Sequence, residues 1–203
     1  MTLLKTVNNG ALYLANPSTP SYSFKVTHLF GSTSYENGYA HGLLLVDEIS
    51  TFYDDVYKYL VNEIDKDLKD GAIFHDWFLD KVVEGGLDWA LDWTYEATLP
   101  FTDISIYSEL QGVSDSSETD YTLMRRIHML PEATKGHCSM FGATSNSTKS
   151  KNLLQLRALD WDVDGPFKDY SNVIVYHNEG SREGKKGWVN VGFSGFLGTV
   201  TGF

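Results

Sequence analysis

Gly136-His137-Cys138-Ser139-Met140-Phe141-Gly142-Ala143 contains the only cysteine of the 203-residue chain. A lone thiol excludes an intramolecular disulfide and any thiolate-rich zinc site. Two roles remain for it: a small buried filler, which is where free cysteine is most often found, or a nucleophile. The residues before it, Pro131-Glu132-Ala133-Thr134-Lys135-Gly136-His137, are mostly polar, and residues 139–144 read as a strand. The stretch therefore reads as an exposed loop passing into a strand, which is where a cuttable peptide bond would lie.

Working outward from Cys138, the two sides differ in texture. On the N-terminal side, residues 11–14 and 22–26 read as short strands separated by Asn16-Pro17-Ser18-Thr19-Pro20. Thr33 followed by Glu36 is a capping-box signature. Val46, Ile49, Tyr53, Val56, Leu60 and Ile64 then recur at three- and four-residue spacing, which predicts a long amphipathic helix. Residues 74–96 continue as helix with a break at Gly85-Gly86. Residues 104–112 predict a short helix ending at Gly112, and residues 114–120 a polar connection. After Cys138, residues 139–144, 153–161, 172–177, 188–193 and 197–203 all read as strands. The expectation is an α+β protein in two parts: a helical propeptide or α-subunit at residues 1–137, and the first part of a catalytic core at residues 138–203. Because residues 197–203 read as an unfinished strand, which would leave a sheet edge unpaired, a further C-terminal part is expected as well.

Composition narrows the partners. The formal net charge of −11 repels phosphate backbones and anionic lipid surfaces, so nucleic acid is not expected as a partner. With 42% hydrophobic and 14% aromatic residues the chain should fold. No apolar run approaches the roughly 20 residues of a membrane span. The first ten residues lack the basic and apolar regions of a secretory signal. A lysosomal or secreted destination would therefore need a signal in the natural precursor, and in that setting Asn146-Ser147-Thr148 would be a glycosylation sequon.

Three motifs fail inspection. Asp160-Trp161-Asp162-Val163-Asp164-Gly165 begins like a calcium loop, but its twelfth position is Ser171 rather than a bidentate glutamate. Gly192-Phe193-Ser194-Gly195-Phe196 lacks the closing glycine of a serine nucleophile elbow. The six histidines show no two-ligand helical spacing, and no phosphate-binding glycine loop with its lysine occurs. No metal and no cofactor are expected.

One constellation survives. If the His137–Cys138 bond is cut, Cys138 carries a free α-amine beside its thiol, and an amine titrating near 8 is suited to accept the thiol proton. Arg157 would favour the thiolate. Asp160 would hold the amine through a hydrogen bond. On a regular strand residues 157 and 160 point to opposite faces, so joint action requires a bulge or turn. The competing reading is an ordinary ion pair of little energetic value.

These residues resemble the N-terminal-nucleophile cysteine amidases of the acid ceramidase, N-acylethanolamine acid amidase and penicillin acyltransferase group. The match lies in Cys138-Ser139, in Leu156-Arg157-Ala158-Leu159-Asp160-Trp161, and in the glycine-rich residues 192–202. It looks closest to acid-ceramidase-like proteins of amoebae and other protists. Gly31 to Gly42 and Glu109-Leu110-Gln111-Gly112 also look like that group's propeptide. The resemblance implies a zymogen that cleaves itself before Cys138 and an αββα core. It further implies a thiol enzyme that hydrolyses linear amides of N-acylated compounds, lipid amides such as ceramide among them, through a thioester on Cys138. Its catalytic residues would be Cys138, Arg157 and Asp160, and its partner the cleaved α-subunit. The spacing from Cys138 to Arg157 is a few residues longer than in ceramidase, and the group's oxyanion asparagine would lie beyond Phe203. Two alternatives stay open: a phospholipase-B-like ester hydrolase of the same fold, and a non-catalytic binding domain with an inert Cys138.

Overall fold

The computed structural model describes residues 1–15, 23–71, 73–160, 165–177, 187–198 and 201. Among them lie seven strands and seven α-helices. Strands β1 (Thr2–Val7), β2 (Gly10–Ala15) and β3 (Phe24–Leu29) form an antiparallel meander. Helices follow: α1 (Ser34–Leu44), α2 (Val46–Asp70), α3 (Asp76–Gly85), α4 (Leu87–Thr98), α5 (Ile104–Ser117), α6 (Tyr121–Ile127) and α7 (Leu130–Ala133). The chain then returns to strands with β4 (His137–Ala143), β5 (Leu154–Asp160), β6 (Ser171–Tyr176) and β7 (Trp188–Phe193). The α+β class read from the sequence is the class observed.

Five strands form one sheet in the order β1-β2-β3-β6-β7, while among the described residues β4 and β5 pair only with each other. Strand β6 runs parallel to β3, with Val26 opposite Val173 and Leu29 opposite Tyr176. The chain between them, all the helices and the β4–β5 ribbon, is one long crossover, so the main sheet draws strands from both sides of residue 137. Asn172 stitches the parallel pair by donating to the buried Thr27 hydroxyl at 2.9 Å.

The Thr33–Glu36 capping box forms as read, and it opens α1. The expected long helix is α2, which carries the whole Val46–Ile64 stripe; Leu45, whose φ of −133° and ψ of 32° leave the helical region, separates it from α1. Within α2 the periodic residues Ile49, Tyr53, Val56, Leu60 and Ile64 are all buried, joined by Phe52. Gly71 ends α2 in the left-handed region at φ 64°, and Gly86 separates α3 from α4. The core joins these residues to Leu12, Leu29, Ile174 and Phe196.

Four sequence readings are corrected. Strand β1 was not foreseen; its residues are exposed until Val7, so no buried face marks it. Helix α5 runs through Gly112 to Ser117 instead of stopping at the glycine. A Cβ on Gly112 would stand 2.3 Å from the Tyr35 carbonyl oxygen, and one on Gly38 would stand 1.9 Å from that of Glu109. These glycines let α1 and α5 cross at backbone contact, and that packing outweighs glycine's poor helix propensity. The polar connection expected at residues 114–120 is accordingly helical over its first half, with Ser114, Ser116 and Ser117 buried and hydrogen-bonded. Finally, Leu197 and Gly198 belong to a turn rather than a strand, and of the remaining residues of that expected strand only Thr201 lies among those described.

Candidate functional site

Cys138 is exposed, the second residue of β4. The buried-filler reading therefore does not describe it. In the β4–β5 ribbon Cys138 pairs with Leu159 and Met140 with Arg157, which puts positions 138 and 157 diagonally across the same face. Arg157 reaches back along that face, and its Nη2–H donates to Cys138 Sγ at 2.9 Å. The contact sets a fixed positive charge directly against the sulfur. Arg157 Nε is enclosed and meets no acceptor among the described residues.

Asp160 ends β5, and its backbone pairs with that of His137. The ribbon shows no bulge between residues 157 and 160, so the backbone alternates regularly across that interval. Residues 161–164, which contain most of the rejected calcium-loop motif, lie outside the described residues. Asn146 is exposed in a short 3-10 turn at the tip of the ribbon. Its sequon partner Thr148 is buried and donates to the Asn152 carbonyl at 2.9 Å. Ser194 of the rejected elbow is fully buried and bonded to Glu48, as befits a structural serine.

The segment leading into the His137–Cys138 bond is rooted in the helical layer. Asp67, buried near the end of α2, accepts the Ile73 N–H at 2.8 Å and the Phe74 N–H at 2.7 Å. Ile73 in turn accepts from the Lys135 N–H at 2.7 Å, and the His75 N–H donates to Ala133 at 3.0 Å. Lys135 adds an exposed ion pair to Asp76. The chain is thus held two residues before the bond in question, while Gly136 is exposed. Sequence reasoning missed Asp67. Its available signal was a carboxylate four residues before the helix-ending Gly71, on the buried face that Leu60 and Ile64 mark.

The two propeptide-like segments meet each other. Gly38 packs on Glu109 and Gly112 on Tyr35, so residues 31–42 and 109–112 form the α1–α5 seam rather than part of the ribbon. Glu109 also accepts the Tyr176 hydroxyl at 2.6 Å, and burial pushes its carboxyl up to about 7. Among the described residues no three histidine, cysteine or acidic side chains gather as a metal site, and no helix is long and apolar enough to cross a membrane.

Fold and site together define an α+β protein whose mixed sheet carries a separate ribbon with an exposed thiol–guanidinium pair. No family model matches the chain. It is similar to Protein dcd1A of Dictyostelium discoideum, 36% identical over 207 residues that cover 99% of this chain and 46% of that protein. Protein dcd1B of the same organism is 36% identical over 200 residues, covering 96% of this chain and 38% of its own length. The chain spans less than half the length of these curated relatives.

Proposed function

We propose that the chain is the self-processing precursor of a thiol amidase of the N-terminal-nucleophile type, with Cys138 as nucleophile. The observation that carries this reading is the exposed Cys138 sulfur receiving the Arg157 N–H at the start of a strand. In processing, the Cys138 sulfur attacks the His137 carbonyl carbon. The C–N bond breaks as the amine takes up a proton, and a thioester forms between His137 and Cys138. Water then hydrolyses the thioester, leaving a carboxylate on His137 and a free α-amine on Cys138.

The same residue next acts on substrate. Its α-amine accepts the thiol proton, and the thiolate adds to the amide carbonyl. Collapse expels the substrate amine, which takes the proton, and water releases the acid from the thioester. Arg157 keeps an N–H on the sulfur; position 160 lies on the other face of the regular ribbon, so the part of Asp160 at the amine requires the end of β5 to turn once the chain is cut.

Substrates of this reading are N-acylated amides, lipid amides among them. The ribbon around the site exposes Met140, Phe141, Leu153, Leu154 and Leu156. An uncovered two-stranded ribbon with an apolar surface is marginal alone, and a further protein layer of an αββα sandwich would cover it. The reading is tested by following hydrolysis of an N-acyl amide and of the matching ester by the natural full-length product that contains these residues. Amide hydrolysis abolished by Cys138→Ala supports it; equal activity of that variant overturns it.

A further inference from the structure

The turn after β7 is held by side chains from the helices. Gly195 and Gly198 adopt φ values of 78° and 86°, conformations that favour glycine. The Gly195 N–H donates to His41 Nε2 at 3.2 Å, and the Leu197 N–H donates to His128 Nε2 at 2.9 Å. The Tyr53 hydroxyl donates to the Gly195 carbonyl at 2.8 Å, and Phe196 stacks on the His128 ring at 4.5 Å. His41 belongs to α1, and His128 directly follows α6.

Each imidazole can accept a backbone N–H only while it is neutral and its proton sits on Nδ1. For His128 that tautomer is fixed twice over, because Nδ1 lies 2.7 Å from the Met124 carbonyl, which only a protonated Nδ1 can satisfy. His41 Nδ1 is buried without a partner among the described residues. A second proton on either ring would set an N–H against an N–H and place a charge in the interior. Burial accordingly holds both rings well below the ordinary histidine value, at about 4.

Charged and titratable groups lie on the elements packed around the two rings. Glu48 on α2 bonds the Ser194 hydroxyl and pairs with Lys25 on β3. On α5, Glu109 is bound by Tyr176, and Asp115 receives bonds from Tyr35 of α1 and from Gln111. Tyr107 of α5 is buried with its hydroxyl unmet among the described residues. On α6, Arg125 and Arg126 pair with Asp92 and Asp88 of α4, and Tyr57 of α2 donates to the same Asp88. These groups supply neither ring with a bonded counter-ion that would rescue the imidazolium.

We propose that His41 and His128 form an acid-released latch that holds the glycine turn after β7 against the helical layer. Above pH 6.5 the latch is closed. As pH falls toward 4, any opening that lets an imidazole reach solvent is captured by protonation, and the turn detaches from α1 and α6. The proposal does not depend on the chemistry of Cys138.

The test is amide hydrogen exchange at Gly195 and Leu197, corrected for intrinsic rates, at pH 7 and pH 4.5. With ring values of about 4 in the closed state and 6.5 in the open state, protection should fall about fiftyfold for each histidine that must open. Glutamine keeps an acceptor near the Nε2 position and does not titrate, so in the His41→Gln/His128→Gln variant protection should change less than threefold. An equal fall in that variant, or undiminished wild-type protection at pH 4.5, overturns the proposal. Should the double variant fail to fold, ¹⁵N shifts of the wild-type imidazoles decide: neutral rings protonated on Nδ1 down to pH 5 sustain the latch, and titration above pH 6 overturns it.

Discussion

Replacing Glu109 with glutamine should stabilise the protein above neutral pH and do nothing for it in acid. The Glu109 carboxyl sits between α5 and β6, bonded to Tyr176, and burial raises it from 4.5 to about 7, the Tyr176 bond offsetting part of the rise. A folded value above the unfolded one means that the native state binds the proton more tightly. The cost of ionising it is therefore absent below pH 4.5, grows through the interval, and is complete above pH 7. At 1.36 kcal/mol per pH unit the gap corresponds to about 3 kcal/mol. Glu109 keeps part of its surface in solvent, which reduces the measurable share to about 2 kcal/mol. Glutamine retains the acceptor for Tyr176 but buries an amide N–H in place of an oxygen, a loss of up to about 1 kcal/mol. The net gain of about 1–2 kcal/mol at pH 8 should raise Tm by roughly 2–8 °C for a domain of this size. The assay is thermal unfolding of both proteins at pH 4.5 and pH 8. A Tm difference that is the same at both pH values, or a variant less stable at pH 8, refutes the reasoning.

Other expectations follow from the seam, the anchor and the thiol. Gly38→Ala drives a Cβ into the Glu109 backbone at 1.9 Å and should cost about 3 kcal/mol; Gly42→Ala meets the Ser116 hydroxyl and, at 2.7 Å, the Val113 carbonyl, and should cost about 2 kcal/mol in the same urea titration. Asp67→Ala strips the acceptor from two backbone N–H groups and should cost about 3 kcal/mol, read as a lower unfolding midpoint. Arg157→Met removes the cation from the Cys138 sulfur, so iodoacetamide should label the native variant several-fold more slowly at neutral pH, with Arg157→Lys in between.

The sequence reveals the parts of this fold that rest on local rules. The Thr33 cap, the buried stripe of α2 and the Gly85-Gly86 break all follow from side chains within a few residues of one another, and all are where the pattern puts them. What escaped reading depends on distant neighbours. Gly112 looks like a helix end until α1 is laid against it, and the serines after it look like a loop until their hydroxyls are found bonded inside the helix and to Thr119. Strand β1 has its outer face in water and pairs only at one edge, so no periodicity announces it. At the site, Cys138 and Arg157 could be singled out by residue type, but their contact comes from strand register. His41 and His128 were passed over because the sequence was searched for paired metal ligands, whereas each acts alone on a backbone N–H of one turn.

The central claim is that Cys138 cuts the bond before it. Intact mass of the natural full-length product, taken before and after incubation at mildly acidic and neutral pH, tests this most directly. The account predicts two chains separating between His137 and Cys138, with the cut abolished in Cys138→Ala. An unsplit wild-type chain at every pH, or a Cys138→Ala variant cleaved like the wild type, would contradict it.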